Sequence, residues 1–448
     1  MTKIEVLLED QLVGWISHDI PSNRFAFTYA DAWRQRSSRY ALSPHIPLVP
    51  KEGQTAEAHS AAVRQFFENL MPEGQALDEA ASANKISKSN LVGLMLALGR
   101  ETAGALRLFL ENAEPQNPES LPATRRLLPR DEMSMRIRSR PYQPFSVWDG
   151  KVRLSIAGFQ DKIAVLKDAG EWYLVEGAKL ASTVILKPEP ASLALAGLTS
   201  NEFLCMRLAH NARLPVAGVS LVTVPEPVLE VIRFDRIQEA NHVRRLHVID
   251  GCQALGLSSA FKYERPYGSG PDVKHIRDGA SLPAFFEFLK SSRNPAVQRL
   301  QMLRWVIFQV LIGNTDAHAK NLSFFCSEQG CELAPAYDLV STLAFSTTTL
   351  EDSFSMSIGD AFLVQELSPY EWANFAVTCG LSPKLVATEL KKLASKVLDS
   401  LAATTEEVLA EGADRAVVDS VCSVIRPGCL RQMNIAGDIT KIDVNALL

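Results

Sequence analysis

The stretch that decides how this chain is interpreted reads Asp316-Ala317-His318-Ala319-Lys320-Asn321, and Tyr337-Asp338 follows it after a segment typical of a hairpin. It supplies a carboxylate, a side-chain amide five residues later and a second carboxylate. Phosphoryl transfer uses such a set, because one carboxylate orients the attacking hydroxyl while an amide oxygen and another carboxylate hold magnesium against nucleotide phosphates. The pattern therefore predicts Asp316 as the catalytic base and Asn321 and Asp338 as ligands of Mg²⁺.

Two other side chains of this stretch have expected roles. His318 would support the loop through hydrogen bonds or sit near the transferred phosphate, and Lys320 would add positive charge where phosphate charge develops. The same residues are also compatible with a polar turn in which Asp316 caps a helix and Asp338 is a surface residue. The five-residue separation equals that of the catalytic acid and metal-binding Asn in protein kinases, which favours the first interpretation.

Composition narrows the possible functions. The 448 residues are 47% hydrophobic and 22% charged, which is typical of a globular chain with two or three domains. The formal net charge of −5 argues against strong nucleic-acid binding by the chain alone, because phosphate neutralisation needs a surplus of Lys and Arg. Contact with DNA would need a local basic patch or a basic partner.

A cytoplasmic location is expected from the cysteines and the N-terminus. The seven cysteines are odd in number and form no Cys-x-x-Cys, so reduced thiols are expected rather than a disulfide framework. The N-terminal residues lack the apolar core of a signal peptide. No apolar run approaches the ~20 residues that a membrane span needs.

Local patterns divide the chain into segments of different character. Residues 3–30 alternate like strands, residues 60–110 have helical spacing, and residues 112–130 resemble an exposed linker rich in Pro, Glu, Asn and Arg. Further strands are predicted at 152–156, 162–167, 172–175, 184–187, 218–224 and 228–234, and further helices at 199–211, 369–378, 383–402 and 405–425. Ser200 or Asn201 is expected to cap the helix over 199–211.

These segments predict four regions. They are an N-terminal subdomain (1–111), a linker (112–145), a small antiparallel sheet with one packed helix (146–247) and a mostly helical C-terminal region (248–448). The third region has the build of a kinase N-terminal lobe.

Upstream of the catalytic stretch, three weaker features fit a kinase. Lys187 ends an apolar strand and can reach nucleotide phosphates, with Glu202 as a candidate partner. Small residues within 155–162 would let backbone amides approach phosphates, and 233–236 would connect the lobes. Each also has an ordinary explanation as a surface lysine, a hairpin turn or a loop. Their order along the chain is the order that a kinase fold requires, which favours the functional interpretation of the whole set.

Motifs along nearly the whole chain resemble the HipA family, serine/threonine protein kinases that form the toxin half of HipB–HipA toxin–antitoxin modules. The motifs that carry the resemblance are residues 67–74, 98–105, 155–162, 201–202, 232–236, 252–257, 262–264, 312–321 and 337–338. The resemblance implies an α+β, bilobal, protein-kinase-like fold with an extra N-terminal α/β subdomain and an all-α C-terminal lobe.

The resemblance also implies residue roles. Asp316 would be the catalytic base, supported by His318 and Lys320, and Asn321 and Asp338 would bind Mg²⁺. The implied ATP contacts are Ala157, Gly158, Phe159, Gln160, Asp161, Lys162, Lys187, Ile232, Arg233, Phe234, His318, Ala319, Lys320, Asn321, Tyr337 and Asp338. Phe159 departs from the family in being bulkier than the small residue expected there. Ser155 matches the family's autophosphorylated serine, and phosphate there would repel ATP phosphates and switch the kinase off.

The implied function is that of a growth-arresting toxin. It would phosphorylate a translation-related protein of the aminoacyl-tRNA synthetase class, and a helix-turn-helix antitoxin similar to HipB would bind it and carry it to DNA. Two alternatives stay open: a small-molecule kinase of related fold, and a non-catalytic pseudokinase that acts as a co-repressor with a DNA-binding antitoxin.

Overall fold

The computed structural model describes residues 2–111, 123–140, 142–153, 160–177, 179–240, 242–345 and 352–443. The chain forms two compact units. The first contains Met1–Pro188, Val222–Ser259 and Phe324–Gly330, and the second contains Glu189–Leu221, Ala260–Ser323 and Cys331–Leu448. This division differs from the predicted boundaries, because it groups the N-terminal subdomain with the following sheet and assigns residues 189–221 to the helical unit.

Helices are numbered in chain order. Those of the described residues are α1 (Asp31–Arg34), α2 (Ala56–Glu68), α3 (Gly74–Ala83), α4 (Leu91–Leu98), α5 (Arg130–Arg138), α6 (Leu198–Asn211), α7 (Gly251–Leu255), α8 (Leu282–Phe288), α9 (Pro295–Ile312), α10 (Pro369–Thr378), α11 (Pro383–Ala410) and α12 (Arg415–Ala436).

Strands are numbered in the same way. They are β1 (Thr2–Leu8), β2 (Gln11–Asp19), β3 (Arg24–Tyr29), β4 (Leu106–Leu110), β5 (Thr124–Leu128), β6 (Val147–Trp148), β7 (Lys151–Val152), β8 (Ile163–Asp168), β9 (Glu171–Glu176), β10 (Val184–Pro188), β11 (Val219–Thr223), β12 (Pro227–Ile232), β13 (Arg236–Glu239), β14 (His242–Arg245), β15 (Val248–Asp250), β16 (Ser323–Ser327), β17 (Gly330–Leu333), β18 (Ser353–Ile358) and β19 (Ala361–Leu363).

The N-terminal part of the first unit is a sheet in the order β3-β2-β1-β4, with α2 packed against β3. Burial alternates along β3, so Phe25, Phe27 and Tyr29 face the core, as the sequence pattern predicts. The prediction of helical structure up to residue 110 is wrong for Leu106–Leu110, which pair antiparallel with β1. A five-residue segment with four apolar residues does not by itself distinguish strand from helix.

The second sheet of this unit contains β12, β10, β8, β9 and β5 in that order. Helix α5 packs its buried Met133 and Ile137 into the same core as Val165 and Leu186. The predicted linker 112–145 is therefore wrong for residues 124–138. Its arginines suggest a solvent-exposed linker, and Arg125, Arg130 and Arg138 are exposed. The segment nevertheless forms a strand and a helix, in which Arg126 pairs with Glu132 and Arg136 lies over the Trp148 ring.

In the second unit α9, α11 and α12 pack against one another, and α6 packs on α11 and α12. Helices over 369–378 and 383–402 are confirmed, but α11 continues without a break to Ala410. The predicted cap of α6 is wrong: Ser200 and Asn201 lie inside the helix. Gly197 is its N-cap, and the Glu189 carboxylate accepts hydrogen bonds from the first amides.

Two further observations bear on the sequence predictions. The expectation of reduced thiols throughout is wrong for Cys326 and Cys331, which are disulfide-bonded, since the turn between β16 and β17 brings the two positions together. Among the described helices, none combines the length and the apolar character needed to cross a membrane.

Candidate active site

The catalytic stretch begins where α9 ends. Gly313 adopts φ +66°, a left-handed conformation that glycine favours, and the Asn314 amide then donates to the Gln309 carbonyl (2.9 Å). The buried Asn314 side chain donates to Gln309 Oε1 (2.8 Å) and accepts from the Asp316 amide (3.0 Å). The end of a buried helix thus fixes the backbone on which Asp316 is carried.

The next residue, Thr315, connects this backbone to the segment that follows Asp338. The Thr315 amide donates to Thr342 Oγ1 (2.7 Å), and the two threonine hydroxyls are hydrogen-bonded to each other (2.8 Å). The Thr342 hydroxyl also contacts the Gly313 carbonyl, to which it donates (3.0 Å). The Thr315 carbonyl accepts from the amide and the hydroxyl of Ser355, at 2.9 and 2.7 Å. These buried hydrogen bonds hold the two acid-bearing segments of the second unit together.

Asp316 lies at the surface of this framework. Tyr263 donates a hydrogen bond to Asp316 Oδ1 (2.8 Å), and the Asp316 backbone carbonyl accepts from the His318 amide (2.8 Å). Asp316 is exposed to solvent, although neighbouring protein atoms partly desolvate its carboxyl group. This desolvation and the negative charge of Asp338 raise the pKa of Asp316 to about 6, whereas the Tyr263 hydrogen bond and Lys262 act in the opposite direction. A carboxyl in this range can accept a proton near neutral pH.

His318 is buried beside Tyr263, with ring centroids 5.1 Å apart in an edge-to-face arrangement. Burial, with the charge of Lys262, lowers the pKa of His318 to about 3, so the imidazole is neutral at pH 7. A neutral ring supports the loop by packing and does not add positive charge for phosphate. Both roles predicted for His318, loop support through hydrogen bonds and proximity to the transferred phosphate, stay predictions.

The segment that presents Lys262 and Tyr263 is anchored by buried Glu264. The Glu264 carboxylate accepts from Arg277 Nε (2.6 Å) and from the Ser357 amide (2.7 Å). The Lys262 carbonyl accepts from the Ala319 amide (3.0 Å). Lys262-Tyr263-Glu264 was noticed in the sequence only as part of the family resemblance, and no role was predicted for it. The structure places Lys262 and Tyr263 beside the catalytic stretch.

Asn321 is oriented for an oxygen ligand role. Its Nδ2 donates to the Asp316 carbonyl (2.9 Å), which directs Oδ1 to the opposite side. Asp338 has φ +58°, a conformation that is uncommon for residues other than glycine and clusters at functional sites. Amide and carboxylate oxygens are the donors that Mg²⁺ prefers. Among the described residues, no group of three or more His, Cys, Asp and Glu side chains could hold a metal ion.

Hydrogen bonds of Tyr337 and Asn201 fix the Asp338 segment. The Tyr337 hydroxyl donates to the Lys320 carbonyl and contacts Ser323 Oγ, both at 2.8 Å. Asn201, on α6, donates to the Ser341 carbonyl (2.9 Å) and accepts from the Ser341 amide (2.8 Å). Sequence reasoning missed this role of Asn201, because only the fold brings residues 140 positions apart together.

The predicted phosphate-binding residues belong to the first unit. Lys187, on β10, and Lys162 are both buried, and Gln160 Nε2 donates to the Pro188 carbonyl (3.1 Å). Asp161 pairs with Arg140 (3.2 Å). The predicted residues Ser155, Ala157, Gly158 and Phe159 lie outside the described residues. Lys187 belongs to the first unit and Glu202 to the second. The predicted pairing of the two side chains stays a prediction.

Residues 232–234, which the family resemblance predicts to line the adenine site and which are called the adenine segment below, have two faces. Ile232 is 55% exposed and Phe234 packs edge-to-face on Phe325, with centroids 5.8 Å apart. Arg233, in contrast, points into a buried cluster with Asp235. Contact between the Arg233 side chain and a base is therefore not supported, and its predicted role rests on its backbone.

Comparisons with known proteins cover most of the chain. A family model for the HipA-like C-terminal domain matches residues 154–403, and one for the HipA N-terminal domain matches residues 4–109. The serine/threonine-protein kinase toxin HipA of Shewanella oneidensis is 37% identical over 403 residues, which are 89% of this chain and 88% of that protein. A putative kinase of Sinorhizobium fredii is 33% identical over 409 residues, 90% of this chain and 92% of that one.

A solved structure is similar over nearly the full length. It is the complex of HipA, HipB and operator DNA from Shewanella oneidensis MR-1, in which the matched chain gives a TM-score of 0.86 at 34% identity. The match covers 98% of the present chain and 100% of that chain.

Proposed function

The chain belongs to the HipA family and is a serine/threonine-protein kinase with the α+β, HipA-like fold expected from its sequence, and from this premise we propose how it works. It transfers the γ-phosphoryl group of ATP to a protein Ser or Thr and to its own Ser155. It acts as the toxin of a toxin–antitoxin pair. The observation that carries the proposal is the hydrogen-bonded framework that joins the Asp316 and Asp338 segments.

Asp316 is the proton acceptor in this proposal. The substrate hydroxyl oxygen attacks the γ-phosphorus, the bond from phosphorus to the ADP oxygen breaks, and the hydroxyl proton passes to Asp316. Tyr263 holds Oδ1 of Asp316 through its hydrogen bond, which leaves Oδ2 for the substrate hydroxyl. A pKa of about 6 keeps the carboxylate ionised at pH 7 yet basic enough to take the proton.

Asn321, through its amide oxygen, and Asp338, through its carboxylate, would hold Mg²⁺. When bound, the metal supplies positive charge against the β- and γ-phosphates. Lys187 and Lys162 are the proposed phosphate-binding lysines, and Ile232–Phe234 is the segment proposed to recognise adenine. Phosphorylation of Ser155 would add about −1.5 to −2 charges, which would repel the ATP phosphates and inhibit the enzyme.

The partners follow from the family and from charge. The net charge of −5 suits contact with DNA through a basic antitoxin rather than directly. The solved relative was crystallised with HipB and operator DNA, which supports a HipB-like, helix-turn-helix antitoxin for this chain. We propose a protein of the translation apparatus, of the aminoacyl-tRNA synthetase class, as the substrate.

The test is phosphate transfer by purified wild type and Asp316→Ala. Wild type with ATP and Mg²⁺ should become phosphorylated at Ser155, detected by mass spectrometry, and brief expression should add phosphate to one or a few cellular proteins. Asp316→Ala should do neither while its unfolding curve stays cooperative. Self-phosphorylation by Asp316→Ala would refute the assignment, and phosphate found only on a metabolite would support a small-molecule kinase.

A further inference from the structure

A buried group of charges lies behind the proposed adenine segment. This group, the Glu101 cluster, consists of Glu101, Arg233, Asp235, Arg236 and Arg245. The side chains of the three arginines are 1–3% exposed and that of Asp235 is 9% exposed. Two carboxylates therefore face three guanidinium groups, which leaves one positive charge in excess. Glu101 comes from the N-terminal subdomain and Arg233 from the adenine segment, residues 232–234. Asp235 and Arg236 follow that segment directly, and Arg245 lies on β14.

Glu101 is the member that the N-terminal subdomain contributes. One carboxylate oxygen accepts from Arg233 (3.2 Å), Arg236 (3.4 Å) and Ser182 Oγ (2.7 Å), and the other accepts from Arg245 (3.0 Å). Although 30% of the side chain is exposed, these contacts saturate the carboxylate. Burial alone would raise the pKa of Glu101, but the three arginines lower it to about 2.

The backbone next to Glu101 forms hydrogen bonds to residues 233–236. The Thr102 carbonyl accepts from Arg233 (3.1 Å) and from Arg236 (3.0 Å). The Gly104 amide donates to Asp235 Oδ2 (2.8 Å), and its carbonyl accepts from Arg236 (2.8 Å). Gly104 has φ +76°, and a Cβ there would lie 2.9 Å from the Val248 backbone, so glycine is required for this close approach.

The adenine segment carries these contacts on one face. Burial alternates along it: Arg233 and Asp235 are buried, whereas Ile232 is exposed and Phe234 is half-buried. The Arg233 amide donates to the carbonyl of Thr183, the residue directly before β10 (2.9 Å), so the backbone of the adenine segment is fixed to the start of that strand. The Glu101 cluster thus sets the position of residues 232–234 from the face opposite to Ile232.

We propose that Glu101 is a positioning residue for nucleotide recognition, through which the N-terminal subdomain sets the backbone that recognises adenine. The inference rests on the proposed function, because it assumes that residues 232–234 contact the base. Adenine and guanine present opposite patterns of donors and acceptors at the edge read by such a backbone. The alignment that Glu101 maintains therefore affects ATP affinity and the choice of ATP over GTP more than the rate of phosphoryl transfer.

The experiment compares wild type, Glu101→Gln and Tyr29→Phe in ATP- and GTP-dependent phosphorylation. Tyr29→Phe is the matched control, because it removes two buried hydrogen bonds of the N-terminal subdomain, to Ile46 and Leu42, without contact to the cluster. Glu101→Gln should raise KM for ATP about tenfold, leave kcat within about twofold and reduce the preference for ATP over GTP about threefold. Tyr29→Phe should leave KM and the nucleotide preference unchanged.

The outcomes separate the possibilities. An unchanged KM and ATP preference in folded Glu101→Gln, or an equal change in Tyr29→Phe, would overturn the inference. Should Glu101→Gln not fold, Ser182→Ala removes a single ligand of the cluster and should shift KM for ATP in the same direction. Failure of the proposed function looks different, since wild type itself would then transfer no phosphate from either nucleotide.

Discussion

Replacing Asn201 tests whether the structure holds the Asp338 segment as we describe. In Asn201→Ala the carbonyl and the amide of Ser341 lose their partners inside the second unit, where Ser341 is fully buried. An unsatisfied buried polar group costs about 1–3 kcal/mol, so the two together reduce the free energy of unfolding by about 2–6 kcal/mol. The segment that carries Asp338 should loosen as well.

The assay has two readouts, urea unfolding and the Mg²⁺ concentration for half-maximal phosphorylation. Asn201→Ala should raise that concentration by about 10–100-fold, the range seen when residues that orient metal ligands are removed. Asn211→Ala is the control on the same helix. It loses hydrogen bonds to the Thr404 and Glu407 side chains. Buried Thr404 keeps its bond to the Ser400 carbonyl and Glu407 keeps its ion pair with Arg207, so a loss of about 1–3 kcal/mol is expected without a change in Mg²⁺ dependence.

The result that would refute the reasoning is a shift in Mg²⁺ dependence that is the same in both variants, or none in either. An equal shift would mean that general destabilisation of the second unit controls metal binding. No shift in Asn201→Ala, together with a measured loss of stability, would mean that the Ser341 contact does not position Asp338.

Two other predictions concern the charges. Glu101 and Asp235 have pKa values below their usual range, so the stability they contribute is present above about pH 5 and is lost as pH falls toward 2; about 3 kcal/mol of it belongs to Glu101. Urea unfolding between pH 6 and 3 should therefore be less pH-dependent in Glu101→Gln than in wild type, and equal dependence would contradict the ion-pair description. Tyr263→Phe removes the hydrogen bond to Asp316 and should lower kcat about tenfold with KM for ATP unchanged; an unaltered kcat would exclude a positioning role for Tyr263.

The sequence predicted the parts of the molecule that local patterns determine. The catalytic stretch is contiguous and follows a strongly apolar helix, so its place at the end of α9 could be inferred. Alternation in β3 and helical spacing in α10 also identified these elements correctly. The fold class and the family followed because several short motifs occur in a fixed order.

Longer-range features could not be predicted in this way. The Asn201–Ser341 contact joins residues 140 positions apart, and the Tyr263–Asp316 hydrogen bond joins residues 53 apart. The sequence predicts a linker where strand β5 lies, because its arginines suggest exposure, whereas pairing with β9 decides its structure. Pairing between distant segments leaves no local trace, since either segment has the same composition with or without its partner.

The most direct test of the central claim is a structure of Asp316→Asn with Mg²⁺ and a non-hydrolysable ATP analogue. We predict a magnesium ion at about 2.0–2.1 Å from Asn321 Oδ1 and from the Asp338 carboxylate, bridged to the phosphates. Nucleotide bound without metal contact to Asn321 and Asp338, or bound away from both, would contradict the account.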